Sequence, residues 1–111
     1  MAKYAIGLAC NLGASTSILV NKMQQLVNDS QKLATTDVQI DAFSAGDIHD
    51  QELPYQVIML APQIAHRLSE IEDKVRDKHI PVVLINPGDF GTMNAASILK
   101  QAIRIIRENE R

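Results

Sequence analysis

Four short aliphatic runs spaced along 111 residues restrict the fold more than any other feature of this sequence. They are "KYAIGLA" (3–9), "DVQIDAF" (37–43), "YQVIMLA" (55–61) and "IPVVLIN" (80–86). Each has the length of a strand and is bounded by turn residues; the second alternates with period two, and the fourth reads as the clearest buried strand. Elsewhere the apolar period lengthens to that of a helix. Leu19, Met23, Leu26, Val27 and Leu33 share one side of a helix from Ser15 to about Leu33, with Lys22, Gln25 and Asp29 outside. Ser15 or Thr16 can cap its first turn.

Residues 44–54 are polar, contain Gly46 and Pro54, and read as a loop with a helical turn. Pro62 ends the third strand and suits the first turn of a second helix, striped by Ile64, Leu68, Ile71 and Val75 and ending near Lys78. "PGDFG" (87–91) reads as a loop. Thr92 can cap a last helix striped by Ala95, Ala96, Leu99, Ile103 and Ile106.

This order implies an α/β fold: a single three-layer domain over 1–111, with a four-stranded parallel sheet between helices. Right-handed crossovers allow the strand order 2-1-3-4, which puts the first strand in the middle. Ligands of such sheets bind beyond the carboxyl ends of the strands, at the switch point between strands one and three. The residue there is Cys10.

Composition narrows the chemistry. A formal charge of −2 argues against nucleic-acid or anionic-lipid binding, and the apolar runs are too short to span a bilayer. One cysteine cannot form an internal disulfide, which fits a reducing cytoplasmic setting. His49 and His79 have no metal-ligand spacing with each other or with Cys10, so no metal site is expected, and no cofactor is implied.

The motif that carries chemistry is "LACNLGASTS", residues 8–17. Gly13 permits a backbone turn whose N–H groups converge on an anion, and the helix start adds unpaired donors and partial positive charge. A cysteine at the rim of that nest is favoured as a thiolate nucleophile. The alternative is a cysteine that simply packs. A Walker A loop needs a lysine, and none occurs between residues 4 and 21. A flavin sandwich needs aromatics, and only Phe90 lies in a suitable loop. The Cys-x5-Arg loop of low-molecular-weight tyrosine phosphatases needs an arginine where Thr16 stands. That arginine clamps the phosphoryl oxygens in the transition state, so a loop without it can accept phosphate on sulfur yet hydrolyse it poorly.

The combination of "CNLGASTS" (10–17), "ILVNKM" directly after it, and "VIMLAPQIA" (57–65) resembles the enzyme IIB component of the lactose/cellobiose (chitobiose) class of the sugar phosphotransferase system. The fold implied is that of low-molecular-weight tyrosine phosphatases. The resemblance makes Cys10 the phosphocysteine of a sugar phosphotransferase. It takes phosphate from a histidine of enzyme IIA and passes it to a sugar, such as the β-glucoside cellobiose, on membrane enzyme IIC. Asn11, Leu12, Gly13, Ala14, Ser15, Thr16 and Ser17 then hold the phosphate through backbone N–H groups and hydroxyls. Pro62 and Gln63 stand beside the loop as second-rank candidates. Ala61 departs from a position where the family often has glycine. A cytoplasmic monomer reaching the membrane only through enzyme IIC is expected.

Two rivals stand beside this reading: a cysteine-dependent phosphatase or thiol reductase on a similar scaffold, and a binding module with an incidental cysteine. Asp89 reads as a turn residue against a general acid, and His66 as a surface residue against a proton carrier. Arg104, Arg107 and Arg111 share one face of the last helix and read as a solvated face against a contact with enzyme IIC or headgroups.

Overall fold

In a computed structural model of the chain, residues 4–10, 14–30, 37–44 and 55–109 are described, the side chains of Ala14 and Ser15 excepted. The elements are β1 (Tyr4–Cys10), α1 (Ala14–Asp29), β2 (Val38–Ser44), β3 (Val57–Leu60), a 3-10 segment (Pro62–Arg67), α2 (Leu68–Val75), a 3-10 turn (Arg76–Lys78), β4 (Val82–Leu84), α3 (Pro87–Gly91) and α4 (Ala95–Asn109). The strands are all parallel in the order β2-β1-β3-β4. The topology expected from the sequence is thus observed. Of residues 44–54, read as a loop, Ser44 instead ends β2, while residues 45–54 and Leu33 lie outside the described residues.

Every residue of β1 and β3 is buried, as strands flanked on both edges and covered on both faces must be. α1 packs on β1, β2 and α4, and α4 also reaches β1 and β3, whereas α2 packs on β4. The first crossover runs toward β2 and the later one toward β4. Both being right-handed, they put α1 and α2 on opposite faces of the sheet.

Several sequence expectations are corrected. "IPVVLIN" is not the best-buried strand: β4 is three residues long, lies at the sheet edge, and leaves Leu84 39% exposed. An edge strand lacks a neighbour on one side, so aliphatic content alone overstates its burial. On α1 the dry stripe is Leu19, Met23 and Val27, while Leu26 is 38% exposed. On α4 it is Ala95, Ile98, Leu99, Ala102 and Ile106; Ala96 is exposed and Ile103 half-buried. Residues 87–91 form a short helix rather than a loop, because Pro87 fits its first position and the Asn86 side chain accepts from the N–H groups of Gly88 and Asp89. Thr92 does not cap α4. Its hydroxyl donates back to the Gly88 carbonyl, and Asn94 accepts from Ser97 N instead.

The helix after Pro62 is broken in two. Ile64 has φ −116° and ψ 25° inside the 3-10 segment, and that bend lets it bury fully before α2 begins.

Beside β1 the sheet carries an aromatic pair. The Phe43 and Tyr55 rings stack at 5.3 Å between centroids and 9° between planes. They lie over Gly7, where an added Cβ would come within 2.8 Å of Phe43 Cε1 and 3.0 Å of the Tyr55 ring. The Tyr55 hydroxyl donates to Asp41 at 3.2 Å, and the Gln39 amide donates to the same carboxylate oxygen at 2.7 Å. Burial, then the Asp41 charge and its hydrogen bond, push the Tyr55 phenol up to about 12.

Two predictions arise here. His79, at the end of the 3-10 turn, is left-handed with φ 56°. A side chain there costs about 1–2 kcal/mol, and glycine's extra chain entropy offsets part of that. His79→Gly should therefore raise unfolding stability by about 0.5–1 kcal/mol in urea titration. For Tyr55, a raised folded pKa means that its contribution is complete below about pH 10 and lost as pH rises toward about 12. Tyr55→Phe should be less stable than the parent at pH 9, and the gap should narrow by pH 11, read from urea midpoints.

Candidate functional site

Cys10 is the last residue of β1, and the parallel ladder pairs it with Ser44 at the end of β2. On its other side the β1–β3 ladder closes with Ala61 N donating to the Ala9 carbonyl at 3.0 Å. The thiol therefore stands at the carboxyl edge of the two central strands, where neighbours β2 and β3 depart in opposite directions. Crevices form at that point in open α/β sheets.

The cysteine is buried, 7% exposed, and is held rather than loose. Its Sγ lies 3.7 Å from the Phe43 carbonyl oxygen and donates to it. Four residues further on, α1 is already helical at Ala14. Ser15 and Thr16 consequently sit inside its first turn rather than in front of it, so neither is the cap. The backbone N–H groups of that turn have no partner earlier in the helix. Their summed dipoles give that end roughly half a positive charge.

Of the residues that the sequence nominated, Asn11, Leu12 and Gly13 lie outside the described residues. Thr16 is 3% exposed, the only buried polar residue among those described, whereas Ser17 is exposed. The position where a Cys-x5-Arg loop has its arginine is thus a dry threonine. Next to Ser17, Ile18 is 50% exposed.

Pro62 and Gln63 open the 3-10 segment directly after Ala61, and so stand at the same edge as Cys10. Pro62 is half-buried and Gln63 exposed. His66 is exposed, in agreement with its reading as a surface residue. Asp89 is half-buried, and its carboxylate accepts from Ser97 Oγ at 3.0 Å, tying α3 to α4. That bond supports the structural reading of Asp89. On α4, Arg104 lies 4.0 Å from Glu108 and both are largely exposed, while Arg111 is outside the described residues. Among the described residues no group of three or more His, Cys, Asp and Glu side chains could hold a metal ion. None of their helices is long and apolar enough to cross a membrane.

Sequence reasoning missed the ring pair beside β2. The available signal was Gly7, a glycine in the middle of an otherwise aliphatic strand, which marks close approach by another group.

Comparison with known proteins fits this geometry. The sequence profile of the family described as "PTS system, Lactose/Cellobiose specific IIB subunit" matches residues 5–101. The cellobiose-specific EIIB component of the phosphotransferase system (PTS) of Lactococcus lactis subsp. lactis is 35% identical over 107 residues, 92% of this chain and 95% of that protein. The galactose-specific EIIB component of Lactococcus lactis subsp. cremoris is 34% identical over the same shares.

Among solved structures, the lactose-specific IIB component domain of Streptococcus pneumoniae superposes with a TM-score of 0.72. It covers 97% of this chain and 98% of that one at 18% identity, a likeness of fold alone. The cellobiose-specific IIB component of Borrelia burgdorferi gives a TM-score of 0.66 at 26% identity, covering 97% of each chain. A cysteine at the switch point of a 2-1-3-4 sheet, a helix start behind it and no arginine in the loop are accounted for together, because the chain belongs to the lactose/cellobiose-specific IIB subunits of the sugar phosphotransferase system.

Proposed function

We propose that this IIB component carries a phosphoryl group on Cys10. The Sγ thiolate attacks phosphorus on a phosphohistidine of enzyme IIA; the P–N bond breaks as the S–P bond forms, and the imidazole leaves with the electron pair. In the second half-reaction a sugar hydroxyl held by membrane enzyme IIC attacks phosphorus. The S–P bond then breaks, the hydroxyl proton passes to a base, and Cys10 is again a thiolate. A β-glucoside disaccharide such as cellobiose is the acceptor this reading favours, in keeping with the cellobiose-specific relative.

The observation that carries the proposal is the place of Cys10 at the carboxyl end of the central strand, four residues before the first helical residue of α1. An incoming phosphoryl group there meets N–H groups of residues 11–17 and the partial charge of the helix start. The hydroxyls of Ser15, Thr16 and Ser17 are further donors. Pro62 and Gln63 border the site from the start of the 3-10 segment.

The same arrangement supports transfer over hydrolysis. Clamping arginines raise phosphoryl-transfer rates roughly 10³-fold or more, and Thr16 stands in place of one. A general acid is also lacking from Asp89, whose carboxylate is engaged by Ser97. In this scheme positioning by partner proteins supplies what the isolated loop does not. The carrier acts as a cytoplasmic monomer that meets the membrane through enzyme IIC.

The test is intact mass after incubation with phosphoenolpyruvate, the general phosphotransferase proteins and a matching enzyme IIA. One phosphoryl adduct is expected, labile as a thiophosphate ester and absent in Cys10→Ser, whose circular dichroism should match the parent. Steady release of phosphate from an aryl phosphate, with no stable adduct, would favour the phosphatase.

A further inference from the structure

The bond from Cys10 Sγ to the Phe43 carbonyl joins the reactive sulfur to one backbone atom of β2, 3.7 Å away. What holds that atom in place lies on the other face of the sheet. Phe43 pairs with Ala9, so strand alternation points its ring away from the Cys10 side chain. There it stacks on Tyr55, which leads into β3. Since the strand order is β2-β1-β3, the two rings bridge across β1, and they can do so because Gly7 has no Cβ to stand between them. The Tyr55 hydroxyl returns to β2 at Asp41, closing the bridge two residues before Phe43.

Beyond Phe43 the β1–β2 register has one more pair, Cys10 with Ser44. A strand end so near its last rung frays readily unless its side chains are anchored. Phe43 is the large apolar anchor within the last three residues of β2, after the exposed Ala42 and before Ser44.

We propose that Phe43 and Tyr55, seated together on Gly7, are positioning residues for Cys10: they hold the Phe43 carbonyl against Sγ and so set where the sulfur points. The proposal rests on Cys10 as the reacting group for its functional meaning, but its core concerns thiol placement and stands apart from phosphoryl transfer. With the rings in place the resting thiol, the form that has a proton to donate to the Phe43 carbonyl, is docked and shielded. With the bridge removed, the end of β2 loosens and the sulfur gains both access and freedom. Access favours attack on a small electrophile. Freedom disfavours phosphoryl transfer, which needs sulfur, phosphorus and leaving group in line.

The two reactivities should therefore move in opposite directions, which simple unfolding would not produce. The experiment compares the full chain with Phe43→Ala, Gly7→Ala and the conservative Phe43→Tyr, under conditions where circular dichroism shows each to be folded. The control is Val75→Ala, a core truncation on α2, an element that contributes no residue to the ring pair.

Iodoacetamide should alkylate Cys10 about five-fold faster in Phe43→Ala and Gly7→Ala, the scale of one lost hydrogen bond. Acceptance of phosphate from enzyme IIA should slow in the same two variants, and Phe43→Tyr and Val75→Ala should behave as the parent. Unchanged alkylation in both Phe43→Ala and Gly7→Ala overturns the proposal. So does equal acceleration in Val75→Ala, which would mean general loosening. Should the parent take no phosphate while alkylation still responds to the bridge, the positioning stands and the phosphocysteine reading falls.

Discussion

The fold rests on the dryness of β1. All seven of its residues are buried, and both of its edges are used, by β2 along its whole length and by β3 over Ile6–Ala9. A strand in that position can neither shift register nor turn a side chain to water without exposing several aliphatic groups, each worth about 1.5–3 kcal/mol. Its carboxyl end is thus a fixed point. Cys10 inherits that rigidity, and α1 starts four residues after it, at Ala14. A reactive atom placed at the end of such a strand needs few further contacts to be well positioned.

Rigidity along β1 does not extend automatically to its neighbour. β2 is an edge strand, half-buried or exposed over its second half. The ring pair supplies what the edge lacks, and it depends on an absence: one missing Cβ at Gly7 lets a side chain of β2 meet one from the segment leading into β3 across β1. The cost is a glycine in a strand, about 0.5–1 kcal/mol of chain entropy. The return is apolar contact between two aromatic residues and a half-buried hydroxyl paired to Asp41. Small residues in central strands are often read as weak points; here the weak point is the socket.

The parts that were legible in the sequence are those governed by local period and by chirality. Alternating strands and helices with short connections admit few parallel sheets, and the 2-1-3-4 order is one of them. Cys10 could be placed at the switch point for the same reason. What could not be read depended on neighbours distant in the chain. β4 has the composition of a central strand but the place of an edge strand, and composition does not encode place. Thr92 and Asn94 are both good caps, and which one acts was decided by the short helix before them, whose own cap, Asn86, reads from the sequence as the last residue of the fourth strand. Leu26 and Ala96 fit the apolar stripes by spacing, yet a helix buries only the part of its stripe that another element covers. The Gly7–Phe43–Tyr55 contact joins three segments, and no window on one of them contains it.

The replacement of arginine by threonine at position 16 separates two uses of one scaffold. A phosphatase must bind the transition state far better than the phosphoenzyme, and a fixed guanidinium does this by meeting charge that develops on the phosphoryl oxygens. A carrier is under the opposite demand, since a phosphoenzyme that reacts readily with water loses its cargo between donor and acceptor. Backbone N–H groups and a helix start hold a phosphoryl group through dipoles that change little along the reaction. They stabilise ground and transition states nearly alike, and so give affinity without much turnover. Thr16, at 3% exposure, brings no charge to the start of α1.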